Sequence, residues 1–483
     1  MGASVVAIVL AALTLRFAAL SSQPGGLYPD EGAEALDAHR LLHTAGFHPV
    51  FFQDDGGREA LYAYLVAGAF AIFGESPTVL RAVSATLGVL AVLALYPALR
   101  RFGRGVALGG MAWAAGALWL ICISRDGMRN VLVPLFAALA IWALVRWADR
   151  PARSGALLAG AIAGAGLWTY QPLKLTPVLL SLWLVWMRRR DPGRYRALIA
   201  DLRWFVAAYA VIALPILVTA VVDPRDYFGR AAGVSPLNPA NGGIDLAAHT
   251  LQTLGMFSFT GDPNARHNVA SLPLLGWPLF ALACAGAWRA WRHRDDPGHS
   301  LLLVGLPVFM LPPLVGVDGW APHFLRSVGL APVLAGLIGL GCREAVDQAR
   351  RATRRDWAAP VAAGLAAVLL ACVGAGGAAA YFSRPIDARY QAYSYDVVAL
   401  AAAARSGDAV VIDDYNRIDI DFLDAGHAPR VFAPGTRIRD PGRFARVLAL
   451  SRQDAAAALG EATASRGEMV SADGHPAFWS VIP

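Results

Sequence analysis

The sequence predicts a polytopic α-helical membrane protein that ends in a small α/β domain. Hydrophobic residues make up 56% of the 483 residues and charged residues only 16%, and the mean hydropathy is +0.46. This composition is too apolar for a water-soluble protein. Long apolar segments recur along most of the chain, whereas roughly the last hundred residues lose this character and alternate short apolar runs with polar turns.

About eleven apolar segments are expected to cross the bilayer, judged by their length and lack of charge. The first one lacks a basic n-region and a small-residue cleavage site, so we expect it to be a retained span rather than a signal peptide. The predicted spans cover residues 3–20, 79–99, 105–123, 131–147, 154–170, 174–187, 203–222, 272–290, 300–317, 324–341 and 357–381.

A further apolar segment, residues 59–73, is short and begins with a glutamate. If it does not cross the bilayer, the main arginine clusters all fall on one side, which the positive-inside rule makes the cytoplasm. We therefore predict that 59–73 lies on or dips into the outer interface. The clusters are at 100–104, 146–153, 188–196, 289–294 and 343–355.

This topology predicts two domains. Residues 1–381 form a transmembrane domain whose first outer loop is 21–78, and residues 382–483 form an extracytoplasmic α/β domain. In the second domain, the stretches DAVVIDD and PRVFAPG predict strands, and the patterns at 394–405 and 441–460 predict helices.

Polar motifs gather in the loops that this topology places on the outer face. A charged side chain near the hydrocarbon costs on the order of 2–3 kcal/mol at mid-bilayer, so several arginines at one interface indicate an anionic partner. That partner is either lipid headgroups in general or one bound phosphate, and the carboxylates nearby favour the phosphate. The motifs are PDE (29–31), GGRE (56–59), Arg81, SRDGMRN (124–130), TYQPLK (169–174), FTGDPNARHN (259–268) and PHFLR (322–326).

The adjacent carboxylates Asp30 and Glu31 allow two interpretations. After Pro29, they are typical of a helix start, where acidic side chains complement the helix dipole and cap free amides. At the membrane face beside several arginines, a carboxylate could also take the proton of an acceptor hydroxyl during group transfer. The placement of the pair favours the second role without excluding the first.

His39 and His43 are four residues apart, with His48 and Asp37 close by. This spacing can bind a metal, although such a pair is more often the solvated face of an amphipathic helix. The four cysteines lie in apolar segments without motif spacing, which argues against disulfide or metal roles. The sequence therefore indicates no metal site.

The order and spacing of the motifs resemble those of GT-C membrane glycosyltransferases of the glycosyltransferase family 39-like group. This group includes protein O-mannosyltransferases, aminoarabinose transferases and an Rgt-like bacterial branch. The resemblance covers about residues 10–345 and rests on the stretches YPDEGAEALDAHRLL, GREALYAYLVAGAFAIFG, LRAVSATLGVLAVLALYPALRR, SRDGMRNVLVPLF, TYQPLKLTPVLL, FTGDPNARHN and FLRSVGLAPVL.

The resemblance implies an inverting transfer of a sugar from a polyprenyl phosphate, with helices of the first outer loop covering the active site. Asp30 matches the acidic residue of the family and would be the general base, and Glu31 would orient it or contact the acceptor. Lys174 stands where this branch usually has arginine, and Glu59 where some relatives have proline.

The other site residues are expected in two groups. The donor phosphate would contact Arg58, Arg81, Lys174 and Arg326. The remaining substrate-binding candidates are Glu59, Arg125, Arg129, Tyr170, Asp262, His267 and His323.

The expected partners are the membrane, a polyprenyl-phosphate sugar and an acceptor lipid, glycan or protein, with no nucleic acid. The lipid-linked sugar is the donor, and a divalent metal is possible but not indicated. Two alternatives remain open: a transporter or flippase of a lipid-linked anion, and a scaffold protein without catalysis. A transporter predicts inverted repeats and broken helices near the midplane, neither of which is clear in the sequence.

Overall fold

The computed structural model describes residues 2–53, 57–353, 355–385, 389–390, 392–423, 429–472 and 474–483. Within these residues the chain forms a bundle of α-helices followed by a five-stranded sheet. This arrangement confirms the predicted fold class, a helical membrane protein with a small C-terminal α/β domain.

The first elements form the predicted first outer loop and the helices on either side of it. They comprise four helices and one two-stranded antiparallel hairpin. The elements are α1 (Ala3–Phe17), α2 (Pro29–His43), β1 (Phe51–Phe52), β2 (Arg58–Glu59), α3 (Leu61–Phe73) and α4 (Pro77–Leu99).

The helix predicted to start at Pro29 is present as α2. Pro29 occupies the first helical position, where its missing N–H removes no hydrogen bond. The Glu31 carboxylate accepts a hydrogen bond from the backbone N–H of Tyr28 at 3.2 Å, which closes a capping box. The capping interpretation of the carboxylate pair is therefore correct for Glu31.

Twelve further helices complete the bundle in the described residues. Short 3₁₀ turns at Gln171–Leu175 and Leu325–Leu330 precede two of them. The helices are α5 (Arg104–Gly116), α6 (Leu118–Arg125), α7 (Leu132–Asp149), α8 (Arg153–Gly166), α9 (Thr176–Arg190), α10 (Pro192–Val222), α11 (Pro224–Val234), α12 (Leu246–Gly255), α13 (Gly276–Arg292), α14 (Pro297–Val315), α15 (Ala331–Thr353) and α16 (Ala358–Phe382).

Six helical segments of the described chain are long and apolar enough to cross a membrane, and the bent pair α5 and α6 makes a seventh. The other predicted spans correspond to shorter helices, such as the 14 residues of α8 and the 15 of α9. The total of about eleven spans therefore stays a prediction. The six segments are Pro77–Phe102, Arg129–Asp149, Pro192–Val222, Pro297–Val315, Leu325–Thr353 and Ala358–Phe382.

The predicted continuous span at 105–123 is wrong in one respect, because it is two helices bent by 59°. Ala117 between them has an extended backbone. The preceding Gly116 lies against α16, where a Cβ on it would come within 2.5 Å of Gly374 Cα. Glycine at both positions permits this close approach of the two backbones, which a uniform apolar pattern does not reveal.

Arginines from separate clusters meet at one end of the bundle. Arg101, which follows α4, pairs with Asp149 at the end of α7 at 2.7 Å and with Asp296 before α14 at 2.6 Å. Arg343 of α15 donates a hydrogen bond to the carbonyl of Phe102. These contacts agree with the prediction that the clusters share one face, and the identity of that face as cytoplasmic stays a prediction.

Helix α3 corresponds to the apolar segment that we predict not to cross. Its 13 residues span about 20 Å, against about 30 Å for the hydrocarbon core. Glu59, just before it, pairs with Lys174 at 3.2 Å, and Phe70 near its end stacks on Phe422 of the C-terminal domain at 6.0 Å. Both ends of α3 thus contact the layer formed by the loops and the C-terminal domain, which supports an interfacial position.

The C-terminal domain is a five-stranded mixed sheet in the order β4-β3-β5-β7-β6. Strand β3 is parallel to β4 and β5, whereas β7 is antiparallel to β5 and β6. The elements are α17 (Tyr395–Ala403), β3 (Ala409–Val411), α18 (Asp414–Leu423), β4 (Arg430–Phe432), β5 (Val447–Ala449), α19 (Arg452–Leu459), α20 (Glu461–Ala464), β6 (Glu468–Ala472) and β7 (His475–Val481).

The two strand predictions in this domain are confirmed as β3 and β4, and the helix predicted at 394–405 is α17. The helix predicted at 441–460 is only partly correct, since Val447–Ala449 is a strand and the helix begins at Arg452. The run VLAL fits a buried strand or a helix equally well in sequence, and pairing with β3 and β7 decides between them.

Helix α18 of the C-terminal domain packs directly on α2 of the first outer loop. Gly32 of α2 makes this possible, because a Cβ there would overlap a carboxylate oxygen of Asp419. The C-terminal domain therefore lies against the helix that carries Asp30 and Glu31.

Candidate active site

A cavity of about 960 Å³ lies beside the N-terminal end of α2. Six of the thirteen predicted site residues line it, and seven do not. Those that line it are Asp30, Tyr170, Lys174, His267, His323 and Arg326.

Asp30 is half-buried in the first turn of α2 and lines the cavity. Its Oδ1 accepts a hydrogen bond from the hydroxyl of Tyr415 in α18 at 3.0 Å, and this hydroxyl lies 2.5 Å from that of Tyr28. Burial and the neighbouring Asp30 raise the pKa of Tyr415 far above its usual range, so the phenol keeps its proton as a donor. The C-terminal domain thus contributes directly to the surroundings of Asp30.

Glu31, one residue on, points away from the cavity and is 1% exposed. Its two carboxylate oxygens accept hydrogen bonds from Arg81 Nε at 2.8 Å and Nη2 at 2.7 Å. The backbone N–H of Gly127 donates to the same carboxylate at 2.7 Å. Contact between Glu31 and an acceptor is therefore not supported, and its contacts instead join α2 to α4.

Arg58 and Arg81 were both expected at the donor phosphate, and neither lines the cavity. Arg81 pairs with Glu31, and Arg58 of β2 pairs with Asp37 of α2 at 2.5 Å. Burial raises the pKa of Asp37 to about 6, against the opposing effect of Arg58, so Asp37 is still ionised at neutral pH. Carboxylates of α2 therefore form ion pairs with both arginines. Because neither arginine lines the cavity, its geometry does not support their direct contact with a phosphate.

A buried chain of alternating charges runs from α2 to the cavity wall. Arg129 donates to Glu34 of α2 at 2.6 Å and to Glu59 at 3.3 Å. Glu59 in turn pairs with Lys174 at 3.2 Å, and the Lys174 ammonium lies 3.9 Å from the centre of the Tyr227 ring. Among these charged residues, Lys174 lines the cavity, whereas Arg129 and Glu59 lie behind it.

Arg125 is fully buried away from the cavity. It donates hydrogen bonds to the carbonyls of Leu15, Ala18 and Gln23 at 2.8–3.0 Å. These contacts connect α6 to the end of α1 and to the segment that follows it, so Arg125 has a structural position and does not line the cavity.

Asp262 is buried behind the histidines of the cavity wall. It accepts hydrogen bonds from Trp320 Nε1 and the Phe324 N–H, both at 2.7 Å, and from His267 Nδ1 at 3.0 Å. Burial opposes ionisation, but the donors from His267 and Phe324 lower the net pKa of Asp262 below its usual value. Asp262 therefore orients His267, whose Nε2 has no hydrogen-bond partner in the described part of the chain.

His323 and Arg326 form the next part of this wall. The His323 ring stacks on Trp320 at 5.2 Å with an interplanar angle of 6°. Burial, together with His267 and Arg326, lowers the pKa of His323 well below its ordinary value, so the ring is neutral at pH 7. Arg326 donates to Asp318 and to the carbonyl of Gly316, which directs its guanidinium along the cavity.

The cavity combines cationic and apolar surfaces. Its charged lining consists of Lys174, Arg230, Arg266 and Arg326 against Asp30 and Asp318, a net excess of two positive charges. Such a surface suits a phosphate, and the adjoining apolar side chains suit a hydrocarbon chain. The apolar lining includes Leu175, Phe228, Val234, Leu311 and Val315.

The lining residues that were not selected from the sequence include Tyr28, Arg230, Arg266 and Tyr415. Arg266, whose guanidinium lies 3.4 Å from the centre of the Tyr28 ring, belongs to the FTGDPNARHN motif and could have been chosen. Tyr28 is two residues before Asp30. Arg230 and Tyr415 carry no sequence signal, because folding brings them from α11 and from the C-terminal domain.

Comparison with known proteins agrees with this architecture. Residues 59–219 match the family model described as dolichyl-phosphate-mannose-protein mannosyltransferase. None of the curated proteins matches the chain in sequence.

Two crystal structures of ArnT from Cupriavidus metallidurans are similar over nearly the whole chain. The structure bound to undecaprenyl phosphate has a TM-score of 0.62 and 15% identity, covering 99% of this chain and 97% of that one. The apo structure has a TM-score of 0.57 and 14% identity, with the same coverage. Together with the family match, these likenesses confirm the resemblance to GT-C membrane glycosyltransferases, and the chain has the GT-C fold.

The substitution Glu31→Gln is expected to destabilise the protein by about 3–5 kcal/mol, because it leaves the buried Arg81 without its counter-charge. Chemical unfolding in detergent measures the change. The control Glu461→Gln removes an exposed carboxylate that pairs with Arg452, and should cost less than about 1 kcal/mol. Equal losses in the two variants would show that the buried pair is not formed.

Asp419 of α18 is buried against Gly32, and neither of its carboxylate oxygens has a hydrogen-bond partner among the described residues. Burial, followed by the negative charge of Glu31, raises the pKa of Asp419 to about 9. Between about pH 4, the usual value for an unfolded aspartate, and pH 9, the folded chain keeps a proton that the unfolded chain loses. This difference makes stability fall as the pH rises.

The substitution Asp419→Asn should remove this pH dependence, because asparagine does not titrate. From pH 5.5 to pH 8, the thermal midpoint of the parent protein is expected to fall more than that of the variant. The control Asp421→Asn, on the same helix but exposed, should behave like the parent. Parallel pH curves for Asp419→Asn and the parent would contradict a protonated Asp419.

Proposed function

We propose that the protein is an inverting glycosyltransferase, which moves a sugar from a polyprenyl-phosphate donor to an acceptor hydroxyl of a lipid, glycan or protein. The observation that carries this proposal is the cavity that Asp30 shares with Lys174, Arg266 and Arg326. A carboxylate and several cations are the groups that this transfer requires. The GT-C fold and the mannosyltransferase family match support the same reaction class.

The apolar side of the cavity supports a lipid-linked donor. Phe228 and Val234 of α11 and Leu311 and Val315 of α14 lie beside the cationic lining, so a ligand with a phosphate and a hydrocarbon chain could contact both surfaces. The ArnT crystal structure of the same fold holds undecaprenyl phosphate. By this likeness, we propose a polyprenyl phosphate as the carrier of the sugar here.

Asp30 acts as the general base in the proposed step. The acceptor oxygen attacks the anomeric carbon from the side opposite the phosphate, and Asp30 takes its proton as the new bond forms. The bond between the anomeric carbon and the phosphate oxygen breaks, and its electron pair stays on that oxygen. The configuration at the anomeric carbon is therefore inverted, and Tyr415 holds the carboxylate in place through its hydrogen bond.

The cations act on the leaving group. A phosphodiester with one negative charge becomes a phosphomonoester with two, so no general acid is needed if the added charge is stabilised. Glu59 positions Lys174, and Asp318 positions Arg326. We propose that Lys174, Arg266 and Arg326 bind the donor phosphate. Arg58 and Arg81 instead hold α2 in place through their ion pairs with its carboxylates.

We propose that this site and the C-terminal domain face outward from a bacterial cytoplasmic membrane. The arginine clusters joined through Arg101 and Arg343 are the support for this orientation, because basic clusters favour the cytoplasmic side. A polyprenyl-phosphate sugar presented at the outer leaflet would then reach the cavity from the membrane.

Asp30→Asn tests the general base. Mass spectrometry of lipid that copurifies with the protein first identifies the donor, and transfer from it is then measured. The variant should lose about 10²–10⁴-fold in turnover, because it removes general base catalysis, and should still bind the polyprenyl phosphate. The exposed Asp421→Asn is the matched control and should transfer at the parental rate.

Unchanged transfer by Asp30→Asn would refute the assignment of Asp30. If the protein in vesicles instead moved the intact lipid-linked sugar from one membrane leaflet to the other without cleaving it, the transporter alternative would be correct and the proposed function wrong.

Tyr415→Phe tests the role of the C-terminal domain as a positioning element. Loss of the hydrogen bond to Asp30 is expected to lower kcat about tenfold with KM for the donor unchanged, since about 1.4 kcal/mol of positioning corresponds to a factor of ten. The control Tyr390→Phe removes a hydroxyl that donates a hydrogen bond to the Pro476 carbonyl, and it should leave kcat and KM unchanged.

A further inference from the structure

A second group of potential ligands lies at the far end of α2 from Asp30. His39 and His43 are one turn apart on the exposed face of this helix, with ring centres 4.4 Å apart. Glu75, in the short connection between α3 and α4, reaches both of them. Its Oε2 lies 2.6 Å from His39 Nδ1, and its Oε1 lies 2.6 Å from His43 Nε2.

We propose that His39, His43 and Glu75 form a zinc site on the surface of the first outer loop. Two histidines at i and i+4 together with one carboxylate are a common ligand set for this ion. The sequence supplied the two histidines and their spacing, but it could not show that a carboxylate more than thirty residues later completes the set. This inference is independent of the proposed glycosyl transfer.

The geometry fits a tetrahedral ion after small movements. The three potential ligand atoms lie within 4.8 Å of one another. At zinc–nitrogen and zinc–oxygen distances of about 2.0–2.2 Å, tetrahedral ligand atoms stand about 3.3–3.5 Å apart. Each imidazole would exchange its present hydrogen bond with Glu75 for a bond from a ring nitrogen lone pair to the ion. Water would fill the open coordination position.

The site would connect the end of α2 to the start of α4. Glu75 directly precedes Ser76, whose side chain caps α4, while the histidines lie in the last two turns of α2. At the other end of α2, Glu31 is paired with Arg81 of α4. A zinc ion at the histidines would therefore add a second link between α2 and α4 and hold the helix that carries Asp30 at both ends.

Simple hydrogen bonding is the alternative role for this cluster, since the Glu75 carboxylate can accept from both imidazoles without a metal. The two roles differ in what they predict for binding. A hydrogen-bonded cluster binds zinc no better than any exposed histidine, whereas a site with three ligands binds one ion with defined stoichiometry.

Isothermal titration of the full-length protein with zinc chloride tests the proposal, after chelator treatment in detergent and in phosphate-free buffer. The parent protein is expected to bind one zinc ion per chain at this site. His43→Ala and Glu75→Gln should each weaken that binding at least tenfold, since each removes one ligand. Glu75→Gln keeps a hydrogen-bonding side chain, so its effect separates ligand loss from a general loss of structure.

Two matched controls locate the ion. His48→Ala removes an exposed histidine outside the cluster and should bind zinc like the parent. His267→Ala removes a histidine from the other group that could hold a metal, Asp262 with His267 and His323, and should also leave this binding event intact. The proposal is overturned if the parent binds no stoichiometric zinc, if His43→Ala and Glu75→Gln bind like the parent, or if His267→Ala alone loses the ion.

Discussion

The buried ion pair between Glu31 and Arg81 is the interaction on which the arrangement of the outer loop depends. Both residues are at most 2% exposed, so each charge requires the other. The pair fixes the first turn of α2 against α4, and Asp30 is adjacent to it in that turn. Asp37 with Arg58 and Glu34 with Arg129 repeat the same kind of contact further along α2. The helix is thus held by its own carboxylates, while the one at position 30 remains available to the cavity.

The buried charges also explain how a lysine reaches the cavity in a defined position. Arg129 lies between Glu34 and Glu59, and Glu59 lies between Arg129 and Lys174, so positive and negative groups alternate from α2 to the cavity wall. Lysine binds phosphate as a point charge rather than through a planar fork, so its placement depends on its neighbours. Glu59 supplies this placement, which gives a physical reason for a glutamate at this position.

The sequence was sufficient for the fold class, for most helices and for the position of Asp30 in the first turn of a helix, because these depend on local composition, on periodicity and on Pro29 at a helix start. It was insufficient for the roles of Arg58 and Arg81. An arginine near a membrane face needs an anion, and the sequence cannot tell whether a phosphate or a distant carboxylate provides it. The structure provides Asp37 and Glu31. Arg230 and Tyr415 were missed for the same reason, since tertiary packing alone brings them to the cavity.

The C-terminal domain contributes a side chain to the candidate site, in addition to packing against the helical bundle. Its helix α18 contributes Tyr415 to the cavity and buries Asp419 against Gly32 of α2, so the same helix contacts the start of α2 at two residues, Asp30 and Gly32. A neutral Asp419 avoids placing a further negative charge beside Glu31, whose charge disfavours the ionisation of Asp419. Deprotonation of Asp419 would add that charge and strain the contact between the domains. The surroundings of Asp30 are therefore set jointly by Arg81 from the membrane helices and by the protonation of a residue in the C-terminal domain.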